Sequence, residues 1–483
     1  VRAIAATLWS AIDVFLRQGL QFCVSVVLAR LLTPEEFGTV AMLAVFIAIA
    51  SVISESGFSS ALVQRREVSQ QELSSVFYFT LALTVAAAGC LVLCAPLIAK
   101  FYRLPVLTAV IIAVSAQLVI GCLGSVHQVL LTRALDFRSQ SYITGATQLV
   151  SGGVAVLLAK YGFGLWSIVT QSIVATTLTT ALLWAFVPWR PSWTFSTSAI
   201  RSLFRFGGFL LASALLDAIF SRLNTILIGK FYSPSDLGYY SRADNTRLIP
   251  IASLAGIISR VSFPVFSSVN HDAALLREGL RRAITVIMAI AVPLMFGMAL
   301  TARPLVAVLF GEKWLPSVPY LQILCFSGLL WPLHILNLNV LTAQGLSNLF
   351  FRLEVAKKVA GVAVLSAACT ISVLAIAWST LVSGVLSFII NGYYSGRLLG
   401  YGCGRQLIDI APYLAAGAAM CIPVHSVALL PISSPGVLLG IQVAVGAFSY
   451  LAILVAFRLR AFVEVMDLVG PKVSGLFARP PNP

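Results

Sequence analysis

Charge is what this sequence has least of. Asp, Glu, Lys and Arg together make up 10% of its 483 residues, against about 25% in soluble globular domains, and that scarcity excludes an ordinary water-soluble fold. Histidine occurs only at His127, His271, His334 and His425, without a metal-ligand spacing such as HExxH. The glycine-rich turn of Gly400, Gly402 and Gly404 follows no strand-like segment, so it reads as a helix exit and not as a nucleotide-binding fingerprint. The eight cysteines, Cys23, Cys90, Cys94, Cys122, Cys325, Cys369, Cys403 and Cys421, form neither a disulfide framework nor a metal spacing. Cys90 and Cys94 lie one helical turn apart in an apolar run and read as packing. Alternation every second residue, the mark of a membrane β-barrel, is missing. Connections between apolar runs are short and leave no room for an extramembrane catalytic domain. These absences argue against an enzyme, a resident metal and a cofactor.

What is present is apolar sequence, 59% of the chain. Runs of about 18 residues or more recur from end to end, the length a helix needs to cross the hydrocarbon core. The expected fold is an all-α polytopic membrane protein of about fourteen spans. Seven are placed near 6–32, 38–63, 73–99, 106–131, 141–159, 164–187 and 204–229. Seven more are placed near 241–267, 284–310, 318–342, 355–376, 378–396, 407–430 and 436–457, with the weakest division around Trp378. The first run holds Asp13 and Arg17 and lacks an evident small-residue cleavage site, so it is expected to be a retained span.

The formal charge of +15 would suggest nucleic acid in a soluble protein. Here twenty of the Lys and Arg residues fall on one face of the fourteen-span arrangement and eight on the other. The positive-inside rule therefore accounts for them, places both termini in the cytoplasm and leaves no nucleic-acid partner to invoke.

An internal repeat organises the chain. LARLLTPEEFG at 28–38 matches IGKFYSPSDLG at 228–238, pairing Thr33 with Ser233, Pro34 with Pro234, Glu36 with Asp236 and Gly38 with Gly238. PLIA at 96–99 matches PLVA at 304–307 in the same order. An even number of spans separates the copies, so both halves keep one orientation and relate by an axis along the membrane normal. The expected division is an N-terminal six-helix lobe at 1–200, a second at 201–400, two additional helices at 401–460 and a cytoplasmic tail at 461–483.

Ionisable groups inside a bilayer cost about 2.5–3.5 kcal/mol each on insertion scales and so tend to face cavities or one another. Asp13, Arg17, Glu55, Asp217, Arg222, Asp244, Arg247 and Arg260 fall on the first two spans of each half, with Asn224 close to Arg222. One reading makes Arg17, Arg222, Arg247 and Arg260, with Asn224, a lining that meets phosphate or acidic sugar, because guanidinium forks match such oxygens. Glu55, Asp217 or Asp244 would then couple the cycle to a cation. The simpler reading pairs Asp13 with Arg17 and Asp244 with Arg247 as local neutralisation.

Larger motifs carry a family resemblance. LARLLTPEEFGTVAM, ESGFSSALVQRREVSQQELSSVFYFTLAL, LTRALDFRSQ, GFGLWSIVTQ and IGKFYSPSDLGYYSRADNTRLIP resemble Wzx-type oligosaccharide flippases. The branch is that of colanic-acid and related exopolysaccharide exporters, within the multidrug/oligosaccharidyl-lipid/polysaccharide superfamily. The resemblance runs from about residue 5 to about 460. It implies a two-lobe transporter of an undecaprenyl-pyrophosphate-linked repeat unit across the bacterial inner membrane. The expected partners are that lipid-linked oligosaccharide, membrane lipids and a polysaccharide polymerase. The rival on the same fold is a cation-coupled multidrug exporter, for which an acidic lining is expected.

Overall fold

The computed structural model describes residues 2–55, 62, 68–197 and 214–460. Among them there is no strand: the chain is an all-α polytopic membrane protein. Among the described residues nine single helices are long and apolar enough to cross a bilayer, and α4 (Val106–Cys122) and α5 (Ser125–Arg133) form an apolar pair bent by 41° around Gly124.

The first compact unit comprises Val1–Gly238. It holds α1 (Arg2–Leu31), α2 (Pro34–Glu55), α3 (Gln70–Tyr102), α4, α5, α6 (Phe137–Lys160), α7 (Leu165–Phe186) and α8 (Leu223–Phe231). Helix α1 lies along α6, where Leu28 and Leu32 pack on Ala155 and Ala159. Helix α3 packs on α4 and α2, and Phe77, Val76, Val126 and Val129 form a second core cluster. The start of α3 is a capping box in which Ser69 accepts from the Glu72 amide and Glu72 accepts from the Ser69 amide.

The two copies of the repeated turn are built alike. Thr33 Oγ1 accepts from the Glu36 amide at 3.3 Å and the Glu36 carboxylate accepts from the Thr33 amide at 2.7 Å. In the second copy Ser233 Oγ accepts from the Asp236 amide at 3.1 Å and the Asp236 carboxylate accepts from the Ser233 amide at 3.3 Å. Proline at the first helical position suits both, since its missing N–H is one that a helix start leaves unbonded. The turns also lie against each other. A Cβ on Gly38 would fall 1.7 Å from the Pro234 carbonyl oxygen, and one on Gly238 would fall 2.0 Å from that of Pro34. Only glycine permits this approach at either position.

The second unit comprises Tyr239–Pro483. Most of α9 (Pro234–Ser268) belongs to it, followed by α10 (Ala273–Leu300), α11 (Ala302–Leu309) and a 3-10 turn at Glu312–Ser317. Then come α12 (Val318–Ala343), α13 (Ser347–Ala368), α14 (Val373–Leu399), α15 (Cys403–Ala428) and α16 (Pro435–Ala456). Helix α12 is the most enclosed of the apolar spans and packs between α10 and α14. Helices α15 and α16 pack on each other and on α10 and α11, so they are an integral part of this unit.

Several span boundaries differ from expectation. The division expected near Trp378 falls at Cys369–Ser372 instead, where Ser372 accepts a hydrogen bond from the Ala375 amide and starts α14. A lone serine inside an apolar run gave too little contrast to mark it. Helix α13 starts at Ser347, ahead of the expected 355, which sets Lys357 about 15 Å along the helix at 1.5 Å per residue. The ninth span is two helices, broken at Thr301, whose hydroxyl donates to the Gly297 carbonyl.

Candidate functional site

The seventh span, expected as one helix, is discontinuous. Residues 214–220 are helical, Ser221 and Arg222 form a turn, and α8 begins at Leu223. The ladder tightens at the break: the Ser221 amide donates to the Asp217 carbonyl at 2.9 Å, and the Arg222 amide to that of Ile219 at 3.2 Å. No side chain caps the start of α8. Interrupted helices at membrane depth are tolerated where the backbone is buried in protein or lines a polar cavity.

Three of the residues singled out in the sequence lie at this break, and a fourth, Arg17, belongs to the same unit. Arg222 and Asp217 are exposed and Asn224 is half-buried, all within two turns of one another, while Arg17 is exposed on α1. Glu55 ends α2, and its side chain, like those of Asp13 and Arg260, lies outside the described residues.

In the second unit the structure brings Asp244 and Arg247 together on α9. Arg247 Nε and Nη2 each lie 2.8 Å from Asp244 Oδ1, and Nη1 donates to the Leu324 carbonyl at 3.3 Å. The pair is largely enclosed, with 13% of the arginine side chain exposed. This is local neutralisation plus a tie to α12. A guanidinium so engaged has little capacity left for a ligand phosphate.

Three further polar groupings of the second unit were not singled out from the sequence. Glu354 and Lys357 pair at 2.5 Å on α13, with 10% of the lysine side chain exposed. Their i, i+3 spacing is visible in the sequence, but the helix, expected from 355, begins at Ser347 and so takes in Glu354. Arg281 of α10 holds Asp409 of α15 with two hydrogen bonds of 2.8 and 2.6 Å, and Tyr401 donates to the same carboxylate at 2.8 Å. Burial first, then that hydrogen bond, pushes the Tyr401 phenol up, so it stays a donor throughout the neutral range. Deeper in the unit, Asn337 exchanges hydrogen bonds with Gln406 at 3.1 and 2.9 Å and accepts from Ser395 at 2.6 Å. These ties join α12, α14 and α15, and no local sequence pattern announces them. Arg242 is buried on α9 and lies over the rings of Phe310 and Trp314 at 4.8 and 5.0 Å.

Chemically, these groups can hold and orient anions or hydroxyls and can tie helices together. Arg17 and Arg222 of the first unit are exposed, whereas Arg242, Arg247, Arg281 and Lys357 of the second are engaged by rings, carboxylates or a carbonyl.

Comparison with known proteins extends the picture. The chain is 27% identical to the teichuronic acid biosynthesis protein TuaB of Bacillus subtilis over 92% of its own length and 94% of that protein's. It is 28% identical to the lipopolysaccharide biosynthesis protein WzxC of Escherichia coli over 68% and 67% of the two chains. In fold it is similar to the lipid II flippase MurJ in an inward closed conformation, with a TM-score of 0.74 at 14% identity, covering 94% of this chain and 99% of that one. Residues 27–319 match the model of one protein family, and this stretch takes in both copies of the repeated turn and the broken seventh span. Through it the chain belongs to the polysaccharide biosynthesis protein family.

Proposed function

We propose that this chain translocates lipid-linked oligosaccharide repeat units across the bacterial inner membrane during synthesis of a surface polysaccharide. The observation that carries this reading is the exposed arginine at the break of the seventh span. Arg222 stands at the uncapped start of α8, with Asn224 beside it, and Arg17 is a second exposed cation of the same unit. Relatives named for teichuronic acid and lipopolysaccharide biosynthesis support the polysaccharide assignment. The fold shared with a lipid II flippase supports transport over catalysis.

The physical problem such a protein solves is severe. A sugar hydroxyl left without a hydrogen bond in hydrocarbon costs about 2–7 kcal/mol, and an ionised phosphate costs far more. A cationic polar path lowers that barrier while the lipid tail stays in the bilayer. Arg17 and Arg222 are the groups we assign to a pyrophosphate, and an undecaprenyl-pyrophosphate carrier fits them because a guanidinium bonds such oxygens in pairs. Arg247 contributes through Asp244 and α12, as a positioning residue. Asp217 is the exposed carboxylate nearest the break and is our candidate for coupling to a cation. On this reading both termini face the cytoplasm, residues 1–200 and 201–400 act as two lobes, and a polysaccharide polymerase takes up the product.

The test is complementation of a flippase-deleted strain making a defined exopolysaccharide, with membrane levels measured for each variant. Wild type is expected to restore polymer, and Arg17→Ala and Arg222→Ala to lose it at normal abundance. Full activity in the double variant, or drug efflux without polymer rescue across several repeat-unit types, would reject the proposal.

A further inference from the structure

The segment that leaves α7 is an irregular strap, and it is fixed with unusual thoroughness. Pro188 and Pro191 bar it from continuing the helix, and residues 187–197 run across the start of α3. Gln70 Nε2 donates to the Arg190 carbonyl at 2.7 Å, and the indole N–H of Trp189 donates to Gln70 Oε1 at 2.6 Å. On either side of Trp193 a backbone amide is held by an α3 hydroxyl: Ser192 donates to Ser74 Oγ at 3.0 Å and Ser196 to Ser75 Oγ at 2.8 Å. The hydroxyls of Ser192 and Thr194 bond each other at 2.8 Å.

The two tryptophans of the strap have opposite fates. Trp189 is inserted, edge-on to Phe77 at 5.9 Å and to His127 at 5.2 Å. Trp193 is 95% exposed and set nearly parallel to Tyr78, with ring centroids 5.8 Å apart and 23° between planes. An indole left this open contributes nothing to the core, yet the backbone on both sides of it is clamped. Clamping an exposed aromatic ring removes its conformational freedom in advance, which benefits a ligand that must meet the ring in one orientation.

We propose that Trp193, with Tyr78 beside it, is a stacking platform for a sugar ring of the transported oligosaccharide. The proposal rests on the function argued above and adds a binding site for the glycan portion, separate from the arginines assigned to the phosphates. A pyranose ring presents a face of C–H groups to an aromatic plane and hydroxyls around its rim. Trp193 offers the plane, its indole N–H is a donor at the edge, and the exposed Thr194 hydroxyl stands beside it. Tryptophan also anchors proteins at membrane interfaces. That role asks only for an amphipathic ring at the right depth and does not call for backbone clamps at Ser192 and Ser196.

The test uses the full chain in nanodiscs and reads the Trp193-dependent part of its fluorescence, taken as the difference from Trp193→Phe. The probe is the repeat-unit oligosaccharide released by mild acid from the lipid-linked intermediates of the strain whose polymer the chain restores. The expected result is a saturable change in that signal. By isothermal titration calorimetry on the same nanodiscs, Trp193→Ala is expected to bind the oligosaccharide about tenfold more weakly than wild type, as for loss of one ring contact, while Trp193→Tyr stays close to wild type at equal membrane abundance. A parallel set of nanodiscs carries phospholipid brominated near the headgroup. Quenching by that lipid together with unchanged oligosaccharide affinity in Trp193→Ala would make Trp193 a membrane anchor and overturn the proposal. Polymer rescue with no loss in Trp193→Ala rejects the platform alone. Failure of wild type to rescue any polymer rejects the transport reading, and the platform falls with it.

Discussion

Gly38 and Gly238 face each other across the two repeated turns, each lying against the carbonyl of the other turn's proline, Pro34 or Pro234. An internal duplication thus folds back on itself at the residues that define it. The nearest carbonyl oxygens, 1.7 and 2.0 Å from a hypothetical Cβ, belong to the backbone and cannot swing aside. Gly38→Ala and Gly238→Ala are therefore expected to cost at least the about 1–3 kcal/mol typical of overpacking. Gly89→Ala, with nothing within 4 Å of its added carbon, should be neutral. Thermal unfolding in detergent, followed by fluorescence size-exclusion, separates the two classes.

The caps of the same turns give a milder prediction. Thr33→Ala and Ser233→Ala each remove the oxygen that accepts the first-turn amide of Glu36 or Asp236. Loss of about 1 kcal/mol is expected from each, and a non-additive loss from both, since the two turns lie against each other. Thermal midpoints of the single and double variants check both statements.

The fork between Arg281 and Asp409 ties α15 to α10, with 31% and 13% of the side chains exposed. Removing one partner of a fully buried pair costs about 3–5 kcal/mol. Partial exposure of the arginine places Asp409→Ala at or below the low end of that range. The exchanged pair Arg281→Asp with Asp409→Arg should recover part of the loss, whereas either exchange alone should be worse than alanine. Protease accessibility of the connection between α14 and α15 in inverted vesicles reports the result.

Glu354 and Lys357 form an ion pair well inside α13. Glu354→Gln leaves an enclosed ammonium without its counter-charge, and Lys357→Met leaves the carboxylate. Each single variant is expected to be less abundant in the membrane than the double variant, because the double variant removes both charges together. Quantitative immunoblotting of membrane fractions decides it. Equal abundance in all three would mean the pair is solvated.

What could be read from the residues divides by physical cause. The repeated turns were legible because a Thr/Ser-Pro-x-Glu/Asp start writes its hydrogen bonds into four adjacent positions. The all-helical membrane fold was legible because apolar runs of span length have no other stable form in lipid. The local pairing of Asp244 with Arg247 was also readable, from their i, i+3 spacing. Breaks at Ser221–Arg222 and Thr301 were not, although Ser221, Arg222 and Asn224 at the first and Arg303 and Pro304 just after the second are visible in the sequence, because the apolar residues on either side keep the hydropathy of one span. Nor were the contacts of Asn337 with Gln406 or Arg281 with Asp409, which lie 69 and 128 residues apart. Such pairs are set by which helices become neighbours, and a single chain's pattern does not encode that locally. The strap residues were passed over because an irregular stretch between spans gives no periodicity to read.

The carboxamide of Asn337 has a consequence for how the molecule is made. As the nascent chain leaves the ribosome, α12 and α14 emerge ahead of α15. Asn337 and Ser395 can then satisfy only part of their bonding through each other and through the Leu333 carbonyl. Gln406 supplies the reciprocal amide when α15 arrives. The last hairpin therefore acts as a clasp on the second unit, and a chain interrupted before Cys403 is expected to keep an unfinished polar seam between α12 and α14.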